Sequence, residues 1–139
     1  EPQWTWCSAD YASWDFEHDD GVRLEVKQSA ARQSWAKSDA KPSVAGFDIA
    51  PCQGYWNTQG QWVPEPGRQA QIYILAHHPI ADDSADHRDP AQWDFYVIAT
   101  SALPATRRIS LTSLRRLAEP CSYAALRSRV DAVADTMSV

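Results

Sequence analysis

Between Trp14 and Lys27, two runs of alternating character flank the triplet Asp19-Asp20-Gly21. Alternation on both sides of an Asp/Gly turn is the pattern of a β-hairpin. With Gly21 in the left-handed position of a three-residue loop, a type I turn followed by a G1 bulge, His18 falls opposite Val22 and Asp15 opposite Glu25. Side chains alternate across a strand. Trp14, Phe16, His18, Val22, Leu24 and Val26 therefore share one face, and Asp15, Glu17, Arg23, Glu25 and Lys27 share the other. One face is core and the other is a row of charge.

Two carboxylates directly opposite each other repel, unless a cation sits between them or one of them takes up a proton. Asp and Glu oxygens are hard ligands suited to Mg2+, which keeps several waters and is usually held by one or two carboxylates together with substrate phosphates. Lys27, two residues beyond Glu25 on the same face, points its ammonium toward the same spot. Read from spacing alone, the competing account is an exposed strand face with cross-strand ion pairs.

Asp15 followed ten residues later by Glu25-Val26-Lys27 resembles the Asp…(Asp/Glu)-x-Lys signature of the PD-(D/E)xK superfamily, the restriction-endonuclease-like nucleases. The segment Gln28-Ser29-Ala30-Ala31-Arg32-Gln33-Ser34-Trp35 is similar to one that follows Glu-Val-Lys in a bacterial branch of that superfamily. The segments 71–75, 92–97 and 109–114 occur there in the same order. The likeness covers most of the chain from Trp14 onward. Trp14 stands where the superfamily's name has proline.

The resemblance implies an α/β fold bordering on α+β, a mixed central sheet flanked by helices, over a single domain of residues 1–139. Its active site would lie where the charged face of the hairpin opens. It implies a nuclease acting on DNA with Mg2+, or Mn2+ in its place, held by Asp15, Glu25 and the carbonyl oxygen of Val26. Lys27 would orient the attacking water and stabilise charge on the phosphate. Arg32 and Gln33 would contact substrate from the helix expected after the hairpin. A homodimer is one arrangement such enzymes use to cut two strands. Members of the fold usually begin with a helix that often adds an acidic ligand. Here about a dozen residues precede the hairpin, so the expectation is a domain lacking that helix or a fragment. The alternative is an inactive nuclease-like domain that binds nucleic acid or protein.

Composition narrows the setting. Apolar residues make up 44% of the chain and charged residues 22%, an ordinary globular balance. There is no apolar run near the roughly 20 residues of a membrane span and no leader pattern. The three cysteines, Cys7, Cys52 and Cys121, are odd in number and far apart. That spacing argues against a disulfide framework or an ordinary zinc site and for a reducing cytoplasm. Net charge of -5 opposes nonspecific binding to a polyanion. The distribution offsets this, with acids concentrated at 10–25 and 82–94 and basic residues at 27–41 and after Arg107.

Along the rest of the chain, residues 1–13 read as loop or short helix, and Ser29 as the cap of a helix over 30–36. A short strand is expected at 47–50. Residues 51–68, rich in Pro and Gly around Tyr55, Trp56 and Trp62, read as the longest irregular stretch. Their aromatics either stack on bases or pack on the sheet edge. Buried strands are expected at 72–76 and 93–100. The His- and Asp-bearing loop between them, 77–90, reads as a solvated connection rather than a transition-metal site. A short strand at 108–111 and helices at 112–118 and 122–134 complete the order. The last helix carries its apolar stripe on Ala125, Leu126, Val130 and Val133.

Overall fold

A computed structural model of the chain describes residues 4–7, 14–31, 46–57 and 59–137. Among these, the strands in chain order are β1 (Trp4–Trp6), β2 (Phe16–His18), β3 (Arg23–Ala30), β4 (Gly46–Asp48), β5 (Cys52–Trp56), β6 (Trp62–Gly67), β7 (Ile72–His78), β8 (Asp94–Ala99) and β9 (Arg108–Ser110). Two helices follow, α1 (Leu111–Leu117) and α2 (Tyr123–Asp135). The class is mixed α and β, as expected.

The main sheet has the order β1-β2-β3-β7-β8. Its inner pair, β3 and β7, runs parallel over seven residue pairs from Leu24↔Ile72 to Ala30↔His78. The other neighbours are antiparallel. Every residue of β7 is buried, which explains its unbroken apolar run: a strand covered on both faces has no solvent side to mark with polar residues.

Two cores lie on opposite faces. On one, Tyr73, Leu75, Tyr96 and Ile98 pack with Phe47, Ile49, Ile109 and Leu114, so the β4-β9 pair and α1 form the covering layer. On the other, Leu24, Ile72, Ile74 and Val97 meet Val130 and Ala134 of α2, with Leu126 and Val133 alongside. Ser122 caps α2 by accepting from the Ala125 N–H, as its sequence position predicts. Ala125 itself is exposed and drops out of the expected stripe.

Three local expectations are corrected. Residues 4–6 form an edge strand on β2, with Trp4 opposite His18, rather than loop or helix. Ser29 does not cap a helix: β3 runs on to Ala30 because its ladder with β7 continues to His78, and the Ser29 Oγ accepts from the Gly46 N–H. Residues 51–68 are not irregular. β5 and β6 form a hairpin whose turn is held by Asn57 Oδ1, which accepts from Gln59 N and Gln61 N at 2.9 Å each. Pro64 and Pro66 are two residues apart, so they remove donors from one side of β6 only, which a two-stranded ribbon tolerates. Gly54 lies at a bulge so close to the Val63 carbonyl that a Cβ would not fit.

Candidate active site

The hairpin that opens the site forms as its turn chemistry requires. Gly21 has φ +93°, the left-handed region that L side chains avoid. His18 N donates to Val22 O and Gly21 N to His18 O, both at 2.8 Å. The register is Phe16↔Leu24 and Glu17↔Arg23, which places Arg23, Glu25 and Lys27 on one face of β3 as expected.

At Asp15 the paired register ends and the chain bends. Asp15 N donates to Leu24 O at 2.8 Å, and its Oδ2 accepts the Val26 N–H at 2.7 Å. The carboxylate therefore continues the ladder past the end of β2, in the place a main-chain carbonyl would take, instead of standing across from Glu25 on the charged face. The same bend corrects Trp14. It packs beside the core of the charged face, edge-on to Tyr55 at 4.9 Å, with the Arg23 guanidinium 3.9 Å from its ring centre. It does not share a face with Phe16.

Glu25 and Lys27 come together. Lys27 Nζ is 3.6 Å from Glu25 Oε1, with side chains 36% and 20% exposed respectively. Burial is the main cause that lifts the Glu25 carboxyl from 4.5 to about 6. Lys27 opposes the shift, and the negative charges of Asp15 and Asp48 add to it. Tyr73, beside Glu25 in the β3-β7 register, has its phenol raised to about 12, first by burial and then by Glu25.

Among the described residues, Asp15 and Asp48 thus both add negative charge at Glu25, against the one opposing charge of Lys27. That is the imbalance a hard divalent cation relieves. In an extended strand a residue's N–H and C=O point to the same side, so the Val26 carbonyl faces the side on which Asp15 sits. Among the described residues, no three or more His, Cys, Asp or Glu side chains gather into a ready cage for a metal. An all-protein metal cage is therefore absent among the described residues, and any ion held here would have to keep much of its water.

Asp48 and Tyr73 escaped the sequence reading. Asp48 lies between buried Phe47 and Ile49 in an edge strand, and its oxygen also accepts from Ala50 N at 2.9 Å. Only the packing of β4 over β3 brings it near Glu25. Glu17 is drawn to Arg23 at 3.6 Å and is peripheral. Arg32 and Gln33 lie outside the described residues. In the 77–90 segment, His77 and His78 belong to the end of β7, and His78 bonds Gln92 Oε1 at 2.8 Å and stacks on His87.

No family of known proteins matches the chain, and neither does any curated protein or solved structure. Among the described residues no helix is long and apolar enough to cross a membrane.

Proposed function

We propose that this chain is a metal-dependent nuclease that hydrolyses phosphodiester bonds, with DNA as substrate. The observation that carries the reading is the Glu25 carboxyl. It is four-fifths buried, 3.6 Å from the Lys27 ammonium, and has its proton affinity raised by burial and by Asp15 and Asp48. Asp15, Glu25 and the Val26 carbonyl would hold Mg2+ or Mn2+. A bound ion of this kind polarises a phosphate and lowers the pKa of a water. Above pH 6 Glu25 is mainly ionised and able to act as a ligand. Lys27 supplies three donors from a partly exposed ammonium, placed to orient a water and to bond phosphate oxygens as charge builds on them. A reducing cytoplasm is the proposed compartment, in keeping with three free cysteines, and a homodimer the proposed form for cutting both strands.

Supercoiled plasmid incubated with the protein and Mg2+ tests this. The expected result is nicking that stops with EDTA and falls by about 100-fold or more in Lys27→Met. Equal cleavage by the variant would rule out the assigned role of Lys27.

A second reading, a nuclease-like domain that binds without cutting, is favoured by a specific contact. The Asp15 carboxylate already serves the Val26 N–H, so holding a metal would have to use its remaining lone pairs. That reading predicts DNA binding indifferent to divalent ions and to Lys27→Met.

A further inference from the structure

On the reverse face of the sheet from Glu25 and Lys27 lies a cavity of about 300 Å³. Its floor is Val26 and Ala76, its walls include the rings of Trp93, Phe95 and Tyr123, and Gln28 and Arg88 also line it. β3 thus serves two sites, with odd-numbered side chains on the acidic face and Val26 and Gln28 in the cavity. The volume is at the small end of the range for ligand pockets, about 300–1,000 Å³.

The chemistry of the lining is selective. Trp93 donates its indole N–H to His87 O at 3.1 Å, so toward the cavity it has only its ring to offer. Tyr123, at the first position of α2, is 59% exposed and 6.1 Å from Phe95. The Gln28 amide, with donors and an acceptor, and the Tyr123 hydroxyl make no hydrogen bonds within the described residues. Aromatic faces beside an unengaged amide suit a planar ligand whose edge carries both donors and acceptors. Among the described residues, Arg88 is the only Lys or Arg in the lining, beside the imidazole of His87. It is tied to Asp86 at 3.4 Å, and Asp82, Asp83 and Asp89 stand in the same loop, so phosphate gains little there.

We propose that this cavity binds a single unpaired nucleobase, recognised by stacking on its aromatic walls and by the Gln28 amide, with little contribution from phosphate. The base could come from a free nucleoside or nucleotide, or from a single strand. The proposal stands apart from the nuclease reading, because neither Glu25 nor Lys27 lines the cavity.

Calorimetric titration of the full chain in EDTA, with adenosine, guanosine, cytidine and thymidine, with their monophosphates and then with short single strands of each base, tests it. Wild type is compared with Gln28→Ala and Tyr123→Ala. Both side chains are exposed, so folding, checked by circular dichroism, should be unchanged. The expected result is saturable binding of at least one nucleoside with Kd below about 1 mM, weakened about tenfold by each substitution, with the corresponding monophosphate no more than a few-fold tighter. Binding of a strand with the same sensitivity, but of no nucleoside, would support the site and assign its base to a strand. No binding by any probe, or binding indifferent to both substitutions, would overturn it. Since EDTA removes divalent ions, neither result bears on cleavage.

Discussion

Oδ2 of Asp15 lies 2.7 Å from the main-chain nitrogen of Val26, so one carboxylate both closes the β2-β3 ladder and borders the acidic cluster. An unpaired N–H in a partly buried strand costs about 1–3 kcal/mol. Asp15→Ala is therefore expected to lose stability in that range in urea unfolding. Asp15→Asn keeps an acceptor oxygen and should lose less. On the nuclease reading both variants lose activity, which separates the structural share of Asp15 from its share in holding the ion.

Glu25 gives the protein a pH-dependent stability of unusual sign for a carboxylate. Its folded value of about 6 exceeds its ordinary 4.5, so between those values the folded state binds more protons than the unfolded state. Stability contributed by this group is full below 4.5, falls as pH rises to about 6, and is level above. Urea midpoints of wild type across pH 4–7.5, compared with Glu25→Gln, check this: the difference should change through that window and then stay constant. Metal-dependent cleavage should rise over the same window as Glu25 ionises.

Arg23 anchors the β5-β6 hairpin to the sheet. Its guanidinium lies 3.9 Å from the Trp14 ring centre and 5.3 Å from that of Tyr55, and its Nη1 is 3.3 Å from Glu65 Oε2. Arg23→Lys keeps the charge but loses the planar stack. A loss of about 0.5–2 kcal/mol is expected, with faster proteolysis at the 57–61 turn as the local readout.

The parts of this structure legible in the sequence are those where local chemistry and tertiary context agree. Gly21 had to lie in the left-handed region, Ser122 to cap α2, and the apolar run at 72–76 to be a doubly covered strand. The reading went astray where tertiary pairing overrode local preference. Ser29 has a capping residue's chemistry, but the parallel ladder to β7 holds it in a strand. Pro64 and Pro66 signal loop, yet they fit a ribbon with one open side. Strict alternation put Trp14 with Phe16, and the bend at Asp15 reversed it. Asp48 joins the acidic cluster from more than twenty residues away in sequence, through a covering layer that no spacing encodes. Tyr55 packs inward on Trp14, while Trp56 and Trp62 remain 47% and 46% exposed and lie edge-on to each other at 5.3 Å.

A Mn2+ titration at pH 7.5, followed by calorimetry, of wild type and Glu25→Gln decides whether the Glu25 carboxylate holds an ion. One divalent site is expected in the wild type, competed by Mg2+ and lost or weakened at least about tenfold when Glu25 no longer carries charge. A wild-type protein that binds neither ion, or a Glu25→Gln variant that binds Mn2+ as tightly as wild type, would contradict it.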